Sequence, residues 1–446
     1  MTIPQTNGKS FTTRRAVLAG TVAALYSIPL SRSVHAQQQI RLTWMTSQGS
    51  PEQTRAYNFQ IQTFEAANPG VKIEIERTSD ATYGVRLAAA FASKEVPDLI
   101  THLPSFAVAN YWSNGLLAPM NDVISAIGAA DYYEGANRVF EITKGQYAAS
   151  GIGNTAADLL WVRRDLMAAA GIMEIPKTWD ELRTACRKMQ GRGVFGAPLP
   201  YAKNGMTSSL FVSFLHRAGG QVFTPDLQVS LSSPEAVNTL EFYRSMRELS
   251  PPGATGYTWG DSLTAFVTGA TATGIYSGRV IQNVSTHNPK IADEITCTTY
   301  PTISASVAPW TYNNFPSVFI PKDGRNVEVA KKFAAHIFRR DGYVMQILAT
   351  PGHIVPVLKS VAEDATYKSD PLISKYQVEV GRMAVAAAQG HNLGFESPNH
   401  KTNVKAGEIT NSDILAEVVQ RVCLNREDPK MTLDNASKRI EAIMKS

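Results

Sequence analysis

The chain has 446 residues, with 43 Lys+Arg against 38 Asp+Glu, 44% hydrophobic and 18% charged residues, and three cysteines. That length predicts two or three domains, and so average a composition excludes a disordered, collagen-like or disulfide-dense chain. A formal net charge of +5 is too weak for a dedicated nucleic-acid binder, so no nucleic-acid partner is expected.

The surplus sits at the front. Residues 1–36 carry Lys9, Arg14, Arg15 and Arg32 and no acid; removing these four from 43 leaves 39 bases against 38 acids. Arg14-Arg15 precede an uncharged run over 16–31, and Val34-His35-Ala36 supplies the small residues of a cleavage site. This resembles a bacterial twin-arginine export signal. The run contains Pro29 and falls short of the ~20 apolar residues that span a bilayer.

Ile40–Trp44 alternates and reads as a strand. A helix follows Pro51, with Tyr57, Ile61 and Phe64 on one face, and ends at Asn68-Pro69-Gly70. Val71–Glu76 is a second strand, 83–94 an Ala-rich helix, and Pro97–Thr101 a third strand. This rhythm predicts a mainly parallel sheet with helices on both faces. Leu159–Val162 is a further strand. Thr178 and Glu181 form a capping box that starts a helix. Helices are predicted at 209–218, 234–248, 262–268, 327–339 and 433–444, with strands at 272–276 and 317–320.

Catalytic signatures are missing: no GxSxG, HExxH or GxxxxGK[ST] occurs. Gly151-Ile152-Gly153 is a turn rather than a dinucleotide loop. No two of the eight histidines lie three or four residues apart, and Cys186, Cys297 and Cys423 form no CxxC, so neither metal nor cofactor is expected. The cysteines read as small buried hydrophobes, with one disulfide as the alternative. The tryptophans say more. Trp44 precedes Thr46-Ser47-Gln48, Trp259 sits before a helix, and Trp310 precedes Thr311-Tyr312-Asn313. Aromatic rings rimmed by hydroxyls and amides suit a sugar, whose C–H faces stack and whose hydroxyls need partners. Trp179 belongs to the helix start and reads as structural.

Five ordered segments carry a resemblance: Phe64–Ile73; Pro97–Ile100 with Asn114–Met120; Arg164–Leu182; Phe266–Ile275; and Ile320–Lys322 with Gly352–Pro356. Together they resemble extracellular solute-binding proteins, family 1, of ABC importers, the group with the maltose- and glycerol-phosphate-binding proteins. The likeness spans nearly all of 40–445. It departs at Gly274, where the family often has methionine, and at His102 and Ser105, near a place often acidic.

The resemblance implies an α/β, two-lobed periplasmic binding protein fold (type II), each lobe a mainly parallel sheet flanked by helices. The lobes would be 37–154 with 270–338, and 155–269 with 339–446, with crossings near 154, 269 and 339. It implies a small-molecule ligand, a carbohydrate in class, captured by hinge closure and passed to permease subunits at the inner membrane by a monomer without catalytic residues. The implied ligand residues are Trp44, Ser47, Gln48, His102, Ser105 and Phe106 on the N-lobe wall; Thr207, Ser208 and Trp259 on the C-lobe wall; and Asn154, Gly278, Arg279, Trp310, Tyr312 and Asn313 near the hinge. An anionic or non-sugar solute (sugar phosphate, sulfonated sugar, polyamine) is the alternative, and a secreted carbohydrate-active enzyme the remote one.

Overall fold

The computed structural model describes residues 39–446; the export signal read over 1–36 lies outside them. Among the described residues ten strands build three sheets: β1 Ile40–Thr46, β2 Val71–Arg77, β3 Leu99–Thr101, β4 Ser150–Gly151, β5 Leu159–Arg163, β6 Thr273–Tyr276, β7 Ile295–Thr299, β8 Thr311–Tyr312, β9 Ser317–Phe319 and β10 Gly390–His391. The first sheet has the order β2-β1-β3-β9-β4 and the second β6-β5-β7, with β8 and β10 paired apart.

Period-two alternation gives the first sheet two apolar faces. Leu42, Trp44, Ile73 and Val318 enter one core with the helices Pro51–Ala67 and Val327–Ile337. Met45, Ile100 and Phe319 enter another with Val108 and Phe140. The second sheet is sandwiched likewise. Leu160, Val162 and Ile275 face a large helical core, while Leu159, Trp161, Ile295 and Cys297 face a smaller one. Thr178 and Glu181 form the predicted capping box at the helix Trp179–Met189.

The parallel rhythm holds where β1 meets β2 and β3. The second sheet is different: β5 pairs antiparallel with both β6 and β7. The local pattern predicts strands but not their direction, and β7 (Ile-Thr-Cys-Thr-Thr) alternates too weakly to be read as a strand. The pairing also redraws two crossings. Strands β6 and β7 belong with β5, so the chain returns to the first sheet after 299, through β8, rather than near 269. The crossing expected near 339 falls later. Gln60 donates to the backbone of Ile337 and Gly342 and to Gln346, holding the helix Arg340–Leu348 on the first core. That core extends to Ile373, and Tyr376 enters the smaller core of the second sheet.

All three cysteines are buried and free. Burial pushes the thiols of Cys186 and Cys423 up to about 12, which makes them packing residues rather than nucleophiles. No helix among the described residues is long and apolar enough to cross a membrane.

Candidate functional site

The cleft is built where strands end. After β1 the chain turns through Gln48 into the helix that starts at Pro51. Ser50 and Gln53 cap that helix reciprocally, and Gln53 Nε2 donates to Gln48 Oε1 at 2.7 Å, which holds the Gln48 amide in place. After β3 comes His102 at φ +67°, a left-handed conformation that histidine tolerates better than most residues. Its N–H donates to Ser317 O, and its Nδ1 lies 3.4 Å from Thr46 Oγ1. Phe106 then occupies the second position of the helix Ser105–Ser113.

The opposite side comes from β6 and the helices around it. Trp259 is the first residue of the helix Trp259–Val267, whose start is tied by Asp261 accepting from Thr258 N and Oγ1 at 2.8 and 2.7 Å. Its ring meets that of Tyr276 edge-on, with centroids 5.7 Å apart. Ser277 and Arg279 follow β6, and Ser277 Oγ lies 2.8 Å from His353 Nδ1. These groups line one cavity of about 460 Å³, together with Tyr83, Thr155, Asn314, Ile354 and Asn411 among others. That is within the range of small-ligand sites. A second hollow of about 480 Å³ over residues 171–188 is walled by one stretch of chain and gathers no such convergent set.

The cavity wall contains one cation, Arg279, two histidines and no carboxylate. Burial holds the His102 imidazole at about 4. Burial first, then the Arg279 charge and the His102 ring, pushes His353 well below the usual histidine range. Both rings are therefore neutral at pH 7 and serve as donor–acceptor pairs. Because the folded-state pKa of His102 lies below its unfolded value near 6.5, protons bind the unfolded chain more tightly. Its contribution to stability is complete above about pH 6.5 and is lost as pH falls towards about 4. The thermal midpoint should drop across that window, and by less in His102→Asn, which keeps a side chain suited to the left-handed backbone; an unchanged slope would count against the assignment.

Of the sequence-expected ligand residues, the cavity brings together Gln48, His102, Phe106, Trp259 and Arg279. Ser47 lines an adjoining groove that shares Gln48 and Arg279. The others lie elsewhere. Trp44 is fully buried against Tyr57 and Phe333, with Nε1 donating to Thr101 Oγ1. Ser105 accepts from Asn392 Nδ2 behind the wall. Thr207 and Ser208 are buried in the helix Gly205–Arg217. Trp310 stacks on the His216 ring at 4.6 Å and donates to Glu396 O. Tyr312 is core. For Trp310 the flanking polar residues read alike on a wall or in a core, and packing decides which.

Asn154, Asn313 and Gly278 join segments. Asn154 pairs through its backbone with Val355, and its Oδ1 accepts from Asn313 Nδ2 at 3.3 Å. Asn313 is wholly buried: Oδ1 accepts from Thr155 N and Phe315 N, and Nδ2 also donates to Ala387 O. It ties the segments at 154–155 and 313–315 to the end of the helix Gln377–Ala388. Gly278 packs on Gly352 so closely that a Cβ there would meet its carbonyl oxygen at 1.8 Å. Sequence reasoning missed Tyr83, Ser277 and His353. The signal for His353 was the Gly352–Pro356 segment around it, read only as a crossing.

The profile of the family described as bacterial extracellular solute-binding protein matches residues 49–343. The putative ABC transporter periplasmic-binding protein YcjN of Escherichia coli is 24% identical over 412 residues, covering 91% of this chain and 93% of that protein. A solute-binding protein of Agrobacterium radiobacter in complex with ribitol superposes with a TM-score of 0.76 at 23% identity, covering 91% of this chain and 99% of that one. Maltose-bound MalE3 of T. maritima gives a TM-score of 0.76 at 20% identity, over 91% and 100%.

Proposed function

Since the chain belongs to the bacterial extracellular solute-binding proteins, we propose that its cleft captures a carbohydrate or related polyhydroxy solute for an ABC importer. The observation that carries this is the wall itself: the half-buried Trp259, with Tyr276 and Phe106, offers ring faces, while Gln48, Asn314, Asn411 and the two neutral imidazoles offer hydroxyl partners. Structurally similar proteins are bound to ribitol and to maltose, which fits a polyhydroxy ligand. In this reading the protein works as a monomer in the periplasm, reached by twin-arginine export, and hands its ligand to permease subunits at the inner membrane.

The lobes we propose are 39–152 with 317–373, and 159–299 with 376–446, joined at 153–158, 300–316 and 374–375. Ligand bridging both sides favours the closed form, because only there do Gln48 and Trp259 bind the same molecule. A thermal-shift screen of sugars and polyols tests this: a ligand at 100 times its Kd stabilises by roughly 2.7 kcal/mol. Consumption of a bound sugar beyond one equivalent would instead make the protein an enzyme.

The two aromatic candidates separate cleanly. Trp259→Ala should weaken the ligand by about tenfold to a hundredfold, the worth of one stacked and desolvated ring, with little change in melting. Trp310→Ala should lower stability by about 3 kcal/mol and leave affinity in the folded protein nearly unchanged. Titration calorimetry and urea unfolding of the two variants read these effects; equal affinity in Trp259→Ala would remove the stacking role.

A further inference from the structure

The cleft's charge names its ligand more narrowly. The wall holds one guanidinium and no Asp or Glu. In the adjoining groove that shares Arg279, the one carboxylate is Glu52, and it is paired with Arg55 at 3.3 Å. The buried Nε of Arg279 has no hydrogen-bond partner, and among the described residues no carboxylate is paired with this side chain. A cation partly withdrawn from water and left unpaired is costly, and the cost is removed when a planar anion meets it through two parallel hydrogen bonds. Arg279 also opens the helix Arg279–His287, whose positive end adds to the same field. Ser277, two residues before it, accepts from the Arg279 backbone N–H and meets His353 Nδ1, and the neighbouring imidazoles bring no charge of their own to the wall.

We propose that the solute is a sugar acid, a polyhydroxy monocarboxylate whose carboxylate pairs with Arg279 while its carbon chain or ring lies against Trp259. This rests on the solute-binding reading above and narrows it. A single positive charge balances a single negative one. A neutral sugar would leave the guanidinium unmatched, and a dianionic phosphate would leave an excess.

The test pairs acids with their neutral counterparts: D-glucuronate with D-glucose, D-galacturonate with D-galactose, D-gluconate with D-glucitol, D-galactonate with galactitol. Each is titrated calorimetrically into the purified protein and into its Arg279→Gln and Arg279→Lys variants. At least one acid should bind a hundredfold or more tighter than its neutral partner. Arg279→Gln should lose at least a hundredfold for that acid, and Arg279→Lys, which keeps the charge but not the fork, should lose less. The melting midpoint of the ligand-free variants reports that they are folded. A neutral member binding as tightly as its acid, or Arg279→Gln keeping acid affinity within threefold, overturns the sugar-acid assignment and leaves the solute-binding reading standing. Silence from all eight compounds counts against both.

Discussion

Gly278→Ala should destabilise the protein by about 3 kcal/mol or more and weaken ligand capture in whatever fraction still folds. The backbone there is ordinary, at φ −61°, so the effect is steric. An alanine Cβ would stand 1.8 Å from Gly352 O and 2.5 Å from both Gly352 C and Met383 Sδ. A sulfur can swing aside, but a carbonyl cannot. The segment at Gly352 must therefore back away, and it carries His353, whose ring is held by Ser277 at 2.8 Å. Overpacking a core typically costs about 1–3 kcal/mol, and backbone against backbone belongs at the top of that range. Because Arg279 is the next residue, the same displacement disturbs the cleft. Urea unfolding gives the stability; calorimetry with a ligand from the screen gives the affinity. An unchanged midpoint would mean that the two segments are not in contact.

The second large effect comes from Arg217 and Asp158, both with fully buried side chains and joined at 2.7 Å. Asp158 also accepts from Ser213 Oγ and from Tyr312 N at 3.0 Å, and Arg217 Nε donates to Tyr300 O at 3.1 Å. Arg217 is the last residue of the helix Gly205–Arg217, where a positive charge is favoured. Breaking a buried pair leaves one charge stranded, which costs about 3–5 kcal/mol. Arg217→Met and Asp158→Leu should each lose that much. The double variant should lose less than the sum, since no ion is then left alone in the core. Strict additivity, or single losses under about 1 kcal/mol, would show that the two groups do not depend on each other.

Where local chemistry decides, the sequence was enough. The capping box at Thr178 and Glu181, the breakers after Phe64 and the alternation of Val71–Glu76 each place an element without reference to the rest of the chain. Gln48, His102 and Arg279 could be named because each follows a strand. Strand direction and partners are settled by distant segments, which is why order along the chain puts 270–338 with the N-lobe whereas β6 and β7 pair with β5. Tyr83 and Asn411 reach the cleft from segments far apart in sequence, and no local pattern announces them. Trp44 was readable, though. It alternates in phase with Leu42, so it shares that residue's buried face, and the polar residues that follow it are irrelevant to where its ring points.

The insertion of β9 between β3 and β4 sets a timetable. Residues 99–101 and 150–151 leave the ribosome early, but the strand that pairs with both spans 317–319. At about 10 residues per second, the edge of β3 waits roughly 20 seconds for its neighbour. An unpaired, apolar edge is a template for association with other chains, and contacts so remote in sequence form slowly. The first sheet therefore completes only after all three strands of the second have been synthesised, and the nascent protein is most prone to aggregate during that interval.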